Sequence, residues 1–271
     1  MTARRSLSQN FLVDPNLQRK IVDALGAGPG EEVLEVGPGH GELSRHLLGE
    51  VARLVLVEKD DELAAELTGR WGERPDVLVV HGDALEVDLA TLVRPPYRVL
   101  SNVPYAITSP LLFLFLDLRP APERIVVTVQ REVGERIVAD PGSKAYGSLS
   151  VGVQARARAW TAFGVGRKAF RPVPDVDSVT VVIEPDPARI AALPEPGLRR
   201  LTRAAFGRRR KQLQTILRTA PEYALERDEA EATCRALGLE PRIRPEKVAP
   251  ETFVALARRL EAVRGESRPD A

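Results

Sequence analysis

The chain has 271 residues, a formal net charge of +1 and 44% hydrophobic residues. That length allows one large domain plus a smaller one with a sizeable core, and the near-neutral balance means that any nucleic-acid site must come from local clustering. A single cysteine, Cys234, excludes a disulfide framework and a cysteine zinc site, three scattered histidines offer no metal constellation, and the absence of an apolar signal core or a span-length apolar run predicts a cytoplasmic protein without membrane or metal.

The N-terminus carries Arg4 and Arg5, either a solvated tail or a phosphate contact, and continues into Ser8-Gln9-Asn10-Phe11-Leu12. Asp14-Pro15 is an N-cap followed by proline at the first helical position. Leu17, Ile21, Val22 and Leu25 keep helical spacing until Gly26. Residues 33–36 read as a short buried strand that runs into Gly37-Pro38-Gly39-His40-Gly41. After the turn, Leu43, Leu47 and Leu48 fall on one helical face, which predicts a helix over 42–48. Glycines there permit positive φ and close approach of a ligand to the main chain, and a helix start would add unpaired N–H groups. The arrangement suits a nucleotide-like ligand.

Further strands are predicted at 54–57, 77–80, 98–101 and 124–129, alternating with helices over 62–70 and from Ser109-Pro110 through 111–116. Such alternation implies a parallel, doubly wound sheet with right-handed crossovers. Glu58, Asp83 and Asn102 then fall at carboxyl ends of strands, where an open α/β sheet gathers its ligands. A helix over 132–139 and a loop at 141–143 precede two more predicted strands, 151–160 and 178–183. Between these, Pro172 and Pro174 stiffen the segment after Phe170. Phe170 is either a ring held in a fixed place or an ordinary core aromatic.

Glu184-Pro185-Asp186-Pro187 marks a predicted boundary between domains 1–184 and 185–271, the second reading as helices. Residues 189–219 hold nine Lys or Arg against one acid, Glu195. Arg199, Arg203, Arg208, Arg209, Arg210 and Lys211 are therefore a candidate phosphate-binding face, with a solvated charged surface as the alternative. Asp228 is a candidate cap for a helix stopping at Gly238, and Pro250 opens a last helix with Phe253, Leu256, Leu260 and Val263 inward.

The spacing of the turn bears on which nucleotide. A dinucleotide fingerprint is G-x-G-x-x-G with an acid about 20 residues on. Here the pattern is E-x-G-x-G-x-G over 35–41, followed by Glu58. This form resembles the first motif of S-adenosylmethionine-dependent methyltransferases, whose cofactor has no pyrophosphate and carries a sulfonium cation, so a carboxylate at the turn does no harm. A dinucleotide oxidoreductase, or a turn with no ligand, remains the competing reading. Asn102-Val103-Pro104-Tyr105 resembles the motif of enzymes that methylate exocyclic amines of bases. An Asn oxygen and a rigid backbone carbonyl can accept the two N–H bonds of such an amine and aim its lone pair, and Tyr105 can stack on a base turned out of its helix.

From about residue 6 to residue 260, the ordered set of short motifs resembles the rRNA adenine N6,N6-dimethyltransferase family, most closely its 16S, kasugamycin-sensitivity type. The motifs are Ser8–Leu12 in Ser8-Gln9-Asn10-Phe11-Leu12, the 35–41 turn, Val57-Glu58-Lys59-Asp60, Gly82-Asp83-Ala84, the 102–105 motif, Gln130-Arg131-Glu132-Val133, Tyr146-Gly147, residues 170–178, Phe206-Gly207-Arg208-Arg209-Arg210-Lys211 and Arg244-Pro245-Glu246. Ser8 in place of glycine and Val103 in place of leucine or isoleucine are departures that remove no functional group. The resemblance implies a Rossmann-like α/β fold with a mostly parallel seven-stranded sheet and a small all-helical C-terminal domain. It implies S-adenosyl-L-methionine as cofactor, with S-adenosyl-L-homocysteine as product, at Asn10, Leu12, Gly37, Gly39, Glu58, Asp83 and Asn102. Glu58 would serve the ribose and Asp83 the adenine amine. It implies a target-base site at Asn102, Pro104 and Tyr105, with Phe170 closing over the flipped adenine. The implied substrate is two adjacent adenines near the 3′ end of 16S rRNA in an immature 30S subunit, approached by a monomer through the 199–211 basic segment. A 23S rRNA dimethylase of the macrolide-resistance type, and an assembly factor whose binding outweighs catalysis, are the alternatives.

Overall fold

The structure, a computed structural model, describes residues 10–102 and 107–266. The chain gathers into two units: Met1–Glu135 with Arg158–Pro185, and Arg136–Ala157 with Asp186–Ala271.

The first unit is built on a sheet. Its elements are β1 (Phe11–Leu12), α1 (Pro15–Leu25), β2 (Glu32–Val36), β3 (Arg53–Glu58), α2 (Asp61–Trp71), β4 (Val77–His81), β5 (Tyr97–Asn102), α3 (Thr108–Asp117) and β6 (Arg124–Gln130). Helix α4 (Arg131–Ile137) runs out of this unit, and the chain returns through β7 (Ala157–Val165), β8 (Phe170–Arg171) and β9 (Ser178–Pro185). Seven strands pair in the order β4-β3-β2-β5-β6-β9-β7. The β4-β3-β2-β5-β6 pairings are parallel and β9 is antiparallel to β6. This is the expected mostly parallel seven-stranded sheet. Its central strands are apolar on both faces because helices cover both: Leu54–Val57 in β3 and Ile125–Val127 in β6 are buried without alternation. The Asp14 carboxylate accepts from Asn16 N (2.9 Å) and Leu17 N (3.2 Å), so α1 starts where the Asp-Pro pair predicts. Ile21 and Leu25 are its fully buried stripe, each contributing roughly 1.5–3 kcal/mol by transfer from water.

Two predicted elements are corrected. Residues 42–48 are turns around a 3-10 segment, Ser44–His46, and not an α-helix. Gly41 and Gly49, both at positive φ, bound the stretch, and the Ser44 side chain is drawn inward to Glu35. The leucines still pack as predicted, with Leu43 and Leu47 buried. The predicted strand 151–160 begins instead as helix α5 (Ser148–Gln154), with β7 starting at Ala157. A short continuous apolar run suits a buried helix as well as a strand, and Leu149, Val151 and Val153 are all buried here.

The second unit is helical: α5, α6 (Pro187–Ala191), α7 (Gly197–Gly207), α8 (Leu213–Thr219), α9 (Arg227–Arg235) and α10 (Pro250–Glu266). Asp228 lies inside the first turn of α9 rather than at its cap, and Glu226 is the capping residue. Tyr146, Val151, Leu201, Phe253, Leu256 and Leu260 share the core, and the Tyr146 hydroxyl donates to Val248 O at 2.8 Å. Residues 136–157 therefore belong with these helices, although a single cut at 184/185 assigns them to the sheet. Among the described residues no helix is long and apolar enough to cross a membrane.

Candidate active site

From β2 the chain winds outward to β3 and β4, then returns to β5 on the other side of β2, so the sheet has its switch point between β2 and β5. Register aligns the strand ends: Val36 lies opposite Val57, Glu58 opposite His81, and Glu35 opposite Leu100. Gly37, Glu58, Asp83 and Asn102 consequently stand along one edge, each at or just beyond the carboxyl end of a parallel strand. The sequence separates them by up to 65 residues; the winding brings them together.

The turn after β2 is shaped by two glycines with different duties. Gly37, at φ 70°, donates to Val57 O at 3.0 Å, and a Cβ built on it meets nothing within 4 Å. Gly41, at φ 79°, lies under Trp71, where a Cβ would stand 2.3 Å from Cη2 and 2.5 Å from Cζ3. Gly41→Ala is expected to cost about 3 kcal/mol, combining a left-handed backbone with an overpacked ring, and Gly37→Ala only about 1 kcal/mol. Thermal denaturation of the two variants checks this; equal losses would mean that Trp71 gives way and φ alone sets the cost.

Three carboxylates surround this turn. Glu58 is buried, with Oε2 accepting from Gly39 N at 3.1 Å and Oε1 from Asp60 N at 2.9 Å. Burial pushes its carboxyl above the usual range, while those N–H groups pull it back. Glu35 is buried and accepts from the Ser44 hydroxyl at 2.6 Å. Burial pushes it up to about 8 against the Ser44 bond, and the charges of Glu42 and Glu58 add to the rise. The Glu42 carboxylate lies beside the turn, 3.4 Å from where a Gly39 Cβ would be, and burial raises it too. Farther along the edge, Asp83 accepts from Lys59 Nζ at 2.5 Å and from Leu85 N at 2.9 Å; these bonds, Lys59 first, hold its carboxyl below the usual range.

The N-terminal segment is tied across this edge. The Asn102 Nδ2 donates to Asn10 O at 3.1 Å, Gln18 Nε2 to Leu12 O at 2.7 Å and Val13 N to Ala169 O at 2.8 Å. β1 pairs antiparallel with β8, which sets Leu12 opposite Phe170. The Phe11 ring lies over Gly39, with its centroid 4.6 Å from that of His40. Asn10, Leu12, Asn102 and Phe170 are thus neighbours. Phe170 itself is 1% exposed and packs in the same core cluster as Leu12, so its ring is not offered to solvent. Val103, Pro104 and Tyr105, like Arg4, Arg5, Ser8 and Gln9, lie outside the described residues.

In the helical unit, Arg199 and Arg203 are exposed one turn apart on α7, and Arg208–Lys211 form the turn that follows it. Arg209 is half-buried and donates to Ser143 O at 3.2 Å. Sequence reasoning missed the Ser44–Glu35 bond, the Gln18 tie and the Lys59–Asp83 pair. Only the last had a signal, a lysine directly after the acid of the second strand.

A family model described as ribosomal RNA adenine dimethylase matches residues 1–261. The ribosomal RNA small subunit methyltransferase A of Rhodospirillum rubrum is 42% identical over 266 residues, 97% of this chain and 89% of its own length. That of Geobacter metallireducens is 39% identical over 268 residues, 97% of each. A solved dimethyladenosine transferase from Plasmodium falciparum is similar with TM-score 0.79 at 25% identity, over 93% of this chain and 98% of that one. The 23S rRNA methyltransferase ErmE is similar with TM-score 0.68 at 25% identity, over 93% and 99%. The fold is the Rossmann-like α/β fold of methyltransferases of this kind. With a match spanning the sheet unit and nearly all of the helical one, the chain belongs to the ribosomal RNA adenine dimethylase family.

Proposed function

We propose that this methyltransferase places two methyl groups on the N6 amine of each of two adjacent adenines in the 3′-terminal hairpin loop of 16S rRNA, acting as a monomer on an immature 30S subunit. The observation that carries the choice of 16S over 23S is the set of relatives named for the small subunit, 37–42% identical over nearly the whole chain, against 25% for the 23S enzyme.

The residues at the strand ends fit S-adenosyl-L-methionine. Space lies over Gly37, and Glu58 keeps lone pairs for ribose hydroxyls after its two main-chain bonds. The Glu42 and Glu58 carboxylates beside the turn would repel a pyrophosphate but tolerate a cation, which favours this cofactor over a dinucleotide. Asn10, Leu12, Gly37, Gly39, Glu58, Asp83 and Asn102 would hold the cofactor, Asp83 accepting from its adenine amine. When bound, the cofactor supplies an electrophilic methyl group. The chain's own part is to position the amine. The Asn102 side-chain oxygen and the Pro104 carbonyl accept its two N–H bonds, Tyr105 stacks on the base, and Phe170 covers it after turning out of its packing with Leu12. Positioning plus electrostatics suffices, because the methylated nitrogen loses its proton readily.

The test is methylation of purified 30S subunits from an unmodified strain, with mass spectrometry of the 3′ fragment. Dimethyladenosine at both adenines is expected; its absence there, or its appearance only in 23S rRNA, overturns the proposal. Arg199, Arg203, Arg208, Arg209, Arg210 and Lys211 are proposed to grip rRNA phosphates. Reversing the charges of Arg208, Arg209 and Arg210 should weaken subunit binding and flatten its salt slope by about two to three, leaving cofactor affinity alone. An unaltered slope would make these arginines a solvated face.

A further inference from the structure

Among the described residues four large hydrophobics are exposed: Val13 at 44%, Leu85 at 41%, Val173 at 49% and Val176 at 44%. Three of the four sit on two short segments, residue 13 and residues 166–177, which the β1–β8 ladder and the Val13 N to Ala169 O bond join together. The same segments expose Arg167, Lys168 and Arg171. The loop is held in shape by its own bonds. Asp177 accepts from Arg167 N at 2.9 Å and faces Arg131 Nη2 at 3.3 Å, and Arg171 Nη1 donates to Lys168 O at 3.1 Å. Four cations, with Arg131, therefore meet two acids, Asp175 and Asp177, one of which is already engaged. This face flanks Phe170 and Asn10, and Val13, Arg167, Lys168, Arg171, Val173 and Val176 are given no individual role above.

A single exposed valine is ordinary, but three on two joined segments with cations between them have the composition of an interaction surface. We infer that the 166–177 loop with Val13 is a docking platform for the RNA strand that flanks the modified adenines. Lys168 and Arg171 would contact phosphates, and the valines the faces of unstacked nucleotides. The excess of positive charge favours RNA over a protein partner, since single-stranded RNA presents both a phosphate row and apolar base faces. A loop with its own internal bonds can receive a strand with little further ordering. The platform would read position beside the site, while the arginines of the helical unit act elsewhere on the chain. The inference rests on the rRNA reading proposed above.

The experiment uses the full-length protein with Lys168→Glu/Arg171→Glu as one variant and Val173→Asp as another. Three quantities are read: cofactor-product affinity by titration, steady-state methylation of unmodified 30S subunits, and binding of a fluorescent hairpin carrying the 16S 3′-terminal loop sequence as salt is varied. Product affinity equal to the parent's shows that the fold and cofactor site survive. The double variant should raise KM for the subunit about tenfold with kcat within twofold, and lower the hairpin salt slope by about two. Val173→Asp should raise KM severalfold and leave the slope nearly as it was. KM within twofold of the parent for both variants overturns the platform. So does a raised KM on subunits with hairpin binding unmoved, which would make a ribosomal protein the occupant. If the parent itself methylates no subunit, the rRNA reading fails instead, and that result is distinct from either.

Discussion

Asn102→Ala should lower kcat for adenine methylation on 30S subunits by about 100- to 1000-fold while leaving subunit affinity within a fewfold of the parent. The expectation follows from where the amide is held. Asn102 ends β5, next to the switch point, and its Nδ2 is committed to the Asn10 carbonyl at 3.1 Å. That bond fixes the amide plane and leaves Oδ1 as the free acceptor, the atom proposed to take an N–H of the target amine. The neighbouring Ser101 hydroxyl donates to Val36 O at 2.7 Å and ties the same strand end to β2. The acceptor is therefore mounted on a strand fixed on both sides, and most of its worth appears as the transition state forms. Asn102→Asp distinguishes gripping from strapping. It keeps an oxygen for the amine but loses the donor to Asn10 O, so it should retain more activity than Asn102→Ala while loosening the N-terminal segment, read as faster hydrogen exchange at residues 11–13. Subunit affinity falling in step with kcat would place Asn102 in docking and not in the amine's grip.

The sheet was legible because its physics is local. Buried parallel strands are unbroken apolar runs, and 54–57 and 124–129 lie within one residue of the observed β3 and β6 at each end. Asp14-Pro15 announced α1 through its cap, and the E-x-G-x-G-x-G spacing announced the turn. What failed depended on partners distant in sequence. Val151 looks like part of a strand until Tyr146 and the α7 leucines supply a helical core for it. Residues 42–48 look like a helix until a buried carboxylate nine residues upstream claims Ser44. Phe170 shows the same limit at the site. The local sequence leaves it either a ring held in a fixed place or an ordinary core aromatic, and pairing with Leu12, 158 residues earlier in the chain, decides for the core. The ion pair between Lys59 and Asp83 needs β3 and β4 to be neighbours before it can be seen at all.

Glu35→Gln should make the protein more stable at pH 8.5 and nearly unchanged at pH 5. Glu35 has no exposed surface to speak of, and its carboxyl accepts from the Ser44 hydroxyl at 2.6 Å. Burial lifts its carboxyl from the ordinary 4.5 to about 8, with Glu42 and Glu58 adding repulsion. Because the folded value lies above the unfolded one, the folded state holds a proton that the unfolded chain releases. The group's favourable contribution is complete below about pH 4.5 and is lost as pH rises to about 8, where the charge must be carried inside. The loss is on the order of 5 kcal/mol at its full extent. Glutamine keeps an oxygen to accept from Ser44 and never ionises, so its stability should be flat across that window. Thermal melts at the two pH values should give a variant melting roughly 10 °C above the parent at pH 8.5. The same pH dependence in both proteins would show that Glu35 ionises freely in the fold and that the stability change arises elsewhere.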